Sequence, residues 1–189
     1  MSGMPFAPPS LADGVVTLRP LDPADVRAHL AGEDEELIRW LHGGPGTPER
    51  VEAYVRRGLA SWERGGPTFT FGICGGTEGV LAGTIDVRLE HEELAAGQAQ
   101  LAYGLYPIAR GRGFATRAVT LACVFAAARP GIAEAVIRVD PQNPASAAVA
   151  VRAGFRYVGH RNEADEGGMD WYVRALTPSD GPIRHPHQP

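Results

Sequence analysis

The sequence has little that belongs to a secreted or membrane protein. Only two of its 189 residues are cysteine, Cys74 and Cys123. Both sit in apolar or small-residue stretches, so the chain has no disulfide framework and suits a reducing cytoplasm. No run of about 18 uncharged apolar residues occurs, which argues against a membrane span. Met1 to Ser10 lacks both a basic start and an apolar stretch, which argues against a secretory leader. Basic charge is also thin. The net charge is −4 and the 18 basic residues are spread along the chain, so the electrostatic footprint of a nucleic-acid binder is missing. His185 and His187 have no third or fourth ligand at a workable spacing, and no metal site is expected.

What is present suits one globular domain. Hydrophobic residues make up 44% and charged residues 21% of the chain, enough for a sizeable core. Proline-rich ends mark residues 1–14 as a flexible N-terminal segment and 177–189 as a flexible C-terminal tail, leaving residues 15–176 as the folded domain. Val15 to Arg19 reads as a strand. Asp22-Pro23 then caps a helix over Ala24 to Ala31, with a second helix near Glu35 to Leu41. After Gly43-Gly44-Pro45-Gly46 the chain restarts at Thr47-Pro48, where Val51, Tyr54, Val55, Leu59 and Trp62 recur at helical spacing. Thr68 to Ile73 and Val80 to Arg88 read as an antiparallel hairpin. Ala99 to Tyr106 forms a strand ended by Pro107, followed by an apolar helix from Gly113 and a buried strand over Ala135 to Val139. Asn143-Pro144 caps a further helix that stops at Gly154. Phe155 to His160 and Trp171 to Leu176 supply a final strand pair. The sum is a mixed α/β or α+β sheet layered with helices.

The chemistry concentrates in Ala109-Arg110-Gly111-Arg112-Gly113-Phe114-Ala115-Thr116. Gly111 and Gly113 let the backbone approach a ligand and take angles closed to other residues. The amides opening the helix, with the positive end of its dipole, make an anion site, to which Arg110, Arg112 and Arg117 are expected to add charge. A diphosphate fits this arrangement. No Lys-Ser/Thr pair follows Gly113, so a P-loop is disfavoured. The glycines lie past mid-chain and no acidic residue ends the next strand, so a dinucleotide fold is disfavoured too.

Arg110-Gly111-Arg112-Gly113-Phe114-Ala115 resembles the Arg/Gln-x-x-Gly-x-Gly/Ala pattern of the GNAT N-acetyltransferase superfamily. Asn143-Pro144-Ala145-Ser146 followed by Ala153-Gly154-Phe155 is similar to the matching segment of its RimJ/RimL-type branch, the ribosomal-protein N-terminal acetyltransferases. Val16 to Leu21, Leu81 to Ile85 and Asp170 resemble that branch as well. The resemblance implies a mixed, mostly antiparallel sheet of about seven strands, splayed at two central parallel strands and covered by helices on both faces. It implies acetyl-CoA, or another acyl-CoA such as succinyl-CoA, as cosubstrate. Leu105 and Tyr106 are then expected to offer backbone hydrogen bonds to the pantetheine arm. The amides from Arg112 to Thr116, with Phe114 and Ala115 among them, are expected to hold the pyrophosphate, and Asn143 to reach the cofactor's amide groups.

Ser146 is the candidate for hydrogen-bonding the departing thiolate. The amine attacks the thioester directly, so no Cys or Ser nucleophile is required. Relatives often carry a glutamate base where this chain has Gln100, which takes no proton at neutral pH. The base is therefore unassigned, with Asp86, His91, Glu92 and Asp170 as candidates. A protein N-terminus has a pKa of only about 8, so water can suffice. Trp40, Leu41, Asp86 and Asp170, with the segment 162–168, are expected to face the acceptor, a protein N-terminal amine or a small-molecule amine. The acidic run Glu163 to Glu166 is a candidate attractor for a cationic amine, with a solvated turn as the default. A homodimer is compatible with this reading. The alternative is a non-catalytic domain that binds coenzyme A as a sensor or interaction module.

Overall fold

A computed structural model of the chain describes residues 9–41, 44–76, 79–163 and 167–177. Expectations for the two tails, for the histidines at 185 and 187, and for the acidic run at 163–166 lie wholly or largely outside the described residues.

Eight strands form one sheet in the order β1-β2-β3-β4-β5-β6-β8-β7. They are β1 (Leu11–Ala12), β2 (Val16–Pro20), β3 (Thr68–Gly75), β4 (Val80–Arg88), β5 (Gln98–Leu105), β6 (Glu134–Val139), β7 (Arg156–Glu163) and β8 (Gly167–Ala175). The strand beyond the expected seven is β1, which pairs Leu11 with Leu18 and Ala12 with Thr17. Those two residues fall inside the segment the sequence assigns to a flexible end. Neighbours pair antiparallel except β5 and β6, which are parallel. Their ladder joins Gln98, Ala99 and Gln100 to Glu134, Ala135 and Val136. Past that point no pair joins the two strands, although both continue. The sheet therefore opens a cleft in its middle, with unpaired backbone edges on either side.

Helices cover both faces. Alternation in β3 turns Phe69, Phe71 and Ile73 into the main core with Leu18, Ile85 and Leu101, where α4 (Phe114–Ala127) contributes Ala118, Val119 and Ala122. Trp62, 2% exposed, closes one end of that core edge-on to Phe69, Phe71 and Phe125, and its indole N–H donates to the Thr70 carbonyl at 2.9 Å. The opposite face carries α1 (Val26–Gly32), α2 (Glu35–Trp40) and α3 (Pro48–Arg64) around Leu21, Leu37, Val55, Cys74 and Tyr106. The expected caps are in place. Thr47 accepts from the Arg50 amide, and Asp22 forms a reciprocal capping box with Asp25. The first expected helix is split, however, into a 3-10 turn at Pro23–Asp25 and α1.

Two glycines let these layers close up. A side chain at Gly104 on β5 would run into Leu37 of α2, and one at Gly32 into the Tyr106 ring. Just beyond the Gly83–Leu105 pair the β3–β4 register slips, leaving Ala82 as the extra residue whose carbonyl accepts the Tyr106 amide at 2.9 Å.

Candidate active site

After β5 the chain makes a 3-10 turn at Pro107–Ala109 and reaches α4 through Arg110 to Gly113. Gly111 and Gly113 have φ of 73° and 76°, the left-handed region that favours glycine. An added side-chain carbon at either would meet nothing within 4 Å, so the space in front of the loop is open. Gly113 is the N-cap of α4 and offers no side-chain cap. The first backbone bond is Arg117 N–H to Gly113 O at 3.2 Å, so the amides of Phe114, Ala115 and Thr116 precede the helical ladder. Local sequence dictates this geometry, as expected.

The charge around the loop is arranged differently from expectation. The Arg110 guanidinium grips both Asp34 oxygens at 2.7 Å and Glu36 at 2.8 Å, while its Nε donates to the Leu105 carbonyl at 3.1 Å. The bond to Asp34 raises the Arg110 pKa and lowers that of Asp34. Arg110 is thus a strut between the loop and α2, not a free charge for a ligand. Arg117 is held by Asp13 at 2.7 Å. Arg112 is exposed and stacks its guanidinium 4.9 Å from the Phe114 ring.

The backbone of Tyr106 is also partly committed. Its N–H goes to Ala82, its carbonyl accepts from Ala109 at 2.9 Å, and its hydroxyl lies 2.7 Å from His29 Nδ1. The Tyr106 N–H is therefore already used, while the Tyr106 and Leu105 carbonyls each carry one donor and keep a second acceptor site for a pantetheine arm.

Across the cleft, α5 (Pro144–Arg152) begins at Asn143, whose Oδ1 accepts the Ser146 amide at 3.0 Å. Capping uses only the amide oxygen and leaves the NH2 group as a separate donor. Ser146 Oγ is 3.0 Å from the Tyr103 hydroxyl, which also reaches the Ser146 carbonyl at 3.3 Å. A carbonyl only accepts, so at that oxygen the phenol is the donor; its single hydrogen goes there or to the nearer Ser146 Oγ, where either hydroxyl can donate. Burial pushes the Tyr103 pKa up to about 12, which keeps this hydroxyl protonated at any working pH. Tyr103 thus bridges the two lips of the cleft, β5 and α5.

Two cavities meet there. The smaller, about 130 Å³, takes in Trp40, Tyr103, Asn143 and Ser146. The larger, about 430 Å³, lies under α1 and α3 and takes in His29, Glu33, Tyr54 and Asp86. Leu41, Arg88, Ala102 and Tyr103 line both. Of the four residues expected to face an acceptor, Trp40, Leu41 and Asp86 reach these cavities. Asp170 lines neither and pairs with His160 at 3.0 Å.

The base candidates fare unevenly. Asp86 is 8% exposed and its oxygens receive Thr70 at 2.8 Å, Tyr54 at 3.1 Å and Arg88 at 3.1 Å. Burial, with the Asp86 carboxylate beside it, holds the Tyr54 pKa well above its ordinary value, so Tyr54 stays a donor. His91 accepts the Glu93 amide at 3.3 Å and faces Arg138 at 3.4 Å. Gln100 is 4% exposed; with its oxygen toward Arg138 it accepts from Nε at 2.9 Å and Nη2 at 3.1 Å. Sequence reasoning did not single out Tyr103, Arg88, Arg138 or His29. In the strand pattern Tyr103 shares a face with Leu101 and Leu105, and reads as core.

Among the described residues no group of three or more His, Cys, Asp or Glu is placed to hold a metal, and no helix is long and apolar enough to cross a membrane.

Solved structures share this architecture. An acetyltransferase from Agrobacterium tumefaciens is 26% identical with a TM-score of 0.71, over 92% of this chain and 98% of that one. A Salmonella typhimurium acetyltransferase that modifies the N-terminal serine of a 50S ribosomal subunit protein is 20% identical with a TM-score of 0.73, over 87% and 97%. Spermidine N-acetyltransferase from Vibrio cholerae, solved with coenzyme A and spermine, is 15% identical with a TM-score of 0.70, over 87% and 97%. No curated protein sequence matches at a significant level. The model of the acetyltransferase (GNAT) domain matches residues 16–156, and the chain belongs to that family.

Proposed function

We propose that this protein transfers an acetyl group from acetyl-CoA to a primary amine, either a protein N-terminus or a small molecule. The observation that carries this reading is the Tyr103–Ser146 pair at the mouth of the β5–β6 cleft, one cavity away from a pocket large enough for an acceptor. Three features fit coenzyme A: the uncapped start of α4, the open space before Gly111 and Gly113, and the unpaired strand edges beyond Gln100. When bound, it supplies an activated acyl group and a thiolate leaving group. The amides of Phe114 to Thr116 would hold its phosphates, and Arg112 would screen them from the rim. Asn143 would keep its cap and donate through its NH2.

Ser146 would donate its hydroxyl hydrogen toward the departing sulfur while its oxygen is held by Tyr103. The acceptor would enter from the larger cavity and pass between Leu41, Ala102 and Tyr103. Asp86 already accepts three hydrogen bonds and position 100 carries an amide, so neither offers a ready base. The amine would therefore arrive neutral or lose its proton to water. Cys74 and Cys123, both buried free thiols, fit a cytoplasmic site of action.

The test is thiol release from acetyl-CoA with a panel of peptide N-termini and polyamines, run beside calorimetric binding of coenzyme A. Turnover with at least one amine is expected. Tight binding without turnover on any acceptor would leave a coenzyme A-binding module instead of an enzyme.

A further inference from the structure

Two guanidinium groups, Arg88 and Arg138, line the smaller cavity beside one carboxylate, Asp140. Trp40 also lines this cavity, and its indole N–H is buried with no partner among the described residues. Arg88 stands directly across the β4–β5 ladder from Gln100, and Arg138 grips the Gln100 oxygen from β6. That grip leaves the NH2 of Gln100 as the end not committed to Arg138. Guanidinium, indole and amide NH2 groups only donate. Asp140 is the sole carboxylate of this lining among the described residues, and one of its oxygens is taken by the Gln142 amide at 2.7 Å. Asp86, which pairs with Arg88, belongs to the other cavity and is already met by three donors.

Such a wall suits an anion more than an ammonium ion. The volume of about 130 Å³ holds roughly four waters' worth of matter, the size of a carboxylate with its linking carbons. Guanidinium groups recognise carboxylates through paired, charge-assisted bonds.

We infer that Trp40, Arg88, Gln100 and Arg138 form a subsite for a carboxylate carried next to the reacting centre, either on the acyl chain of a dicarboxylic acyl-CoA or on the acceptor amine. The inference rests on the acyltransferase reading and sharpens it. The same position that lacks a base then has a recognition duty: with a glutamate at 100, a substrate carboxylate would meet a like charge; with Gln100 it meets an amide.

The experiment has two arms, each read in turnover and in calorimetric binding. One arm compares succinyl-CoA with butyryl-CoA, which has the same chain length without the charge. The other offers acetyl-CoA and peptides beginning with Asp or with Asn. In one arm the carboxylate ligand is expected to be preferred by about tenfold or more, the worth of one charge-assisted hydrogen bond. The preference should fall toward unity in Arg138→Gln, and in Arg88→Gln should the first variant fold poorly. Preference in the first arm assigns the subsite to the acyl chain, and in the second to the acceptor. Wild-type indifference in both arms, with coenzyme A still bound, overturns the inference alone, as does a preference that survives both substitutions. A protein that binds no coenzyme A at all overturns the functional reading and this inference with it.

Discussion

Replacing Tyr103 by Phe removes one hydroxyl from the cleft and nothing else. That hydroxyl lies 3.0 Å from Ser146 Oγ and 3.3 Å from the Ser146 carbonyl, so the ring loses a single neutral donor. Such a bond contributes about 1 kcal/mol net, and if all of it serves to orient Ser146 the turnover falls about fivefold. Ser146→Ala removes the donor to the sulfur itself, and a loss of about a hundredfold is expected. The two effects should not multiply. With Ser146 gone there is no hydroxyl left to orient, so the double variant should turn over at the rate of Ser146→Ala, a coupling of about 1 kcal/mol. The assay is initial-rate thiol release at saturating acetyl-CoA, with coenzyme A affinity measured on each variant to show that binding is retained. A double variant a further fivefold slower than Ser146→Ala would refute the relay and give Tyr103 a role of its own.

Gly113→Glu should abolish coenzyme A binding by calorimetry, because it forces a side chain onto φ of 76° and sets a negative charge at the start of α4; unchanged affinity in a folded variant would remove the loop from the cofactor site. Asp25 should make the fold sensitive to acid. Burial raises its pKa, but the Arg19 bonds at 2.7 and 2.8 Å and the Asp22 amide outweigh it, so the net folded value is lowered. Its stabilisation is therefore complete above the unfolded value of about 3.9 and is lost as pH falls toward the folded one. Chemical denaturation at pH 7 and pH 3 should show a smaller pH dependence in Asp25→Asn than in the wild type. His29, with its pKa lowered by burial, should titrate below the ordinary histidine value of about 6.5 in an NMR titration; a higher value would contradict its neutral pairing with the Tyr106 hydroxyl.

The parts of the site that were legible in the sequence are the ones that a few neighbouring residues decide. Gly113 must be glycine because the turn into α4 needs a positive φ, and Asn143-Pro144 announces a helix start by its own chemistry. The parallel pair follows from a strand, a helix and a second strand in succession. What was hidden depends on partners far apart in the chain. Arg110 looks like a phosphate ligand until Asp34, 76 positions away, is brought beside it. Tyr103 and Ser146 are separated by 43 residues. Periodicity assigned Tyr103 to a strand, and no local pattern says that the next strand swings away and leaves its hydroxyl at a cleft. Gln100 was noticed for the proton it cannot take, while its grip by Arg138 required knowing that β6 lies alongside β5.

The helix α2 is six residues long and has a different task at each end. Asp34 and Glu36, at its start, hold Arg110 and with it the loop before α4. Trp40 and Leu41, at its finish, wall the cavities on either side of Tyr103. Leu37, midway, seats the whole turn on bare backbone at Gly104. A rigid segment this short transmits any shift of one end to the other. Acceptor preference and coenzyme affinity are therefore expected to be inherited together, and a library aimed at new acceptors should vary Trp40 and Leu41 while leaving Asp34, Glu36 and Leu37 as they stand.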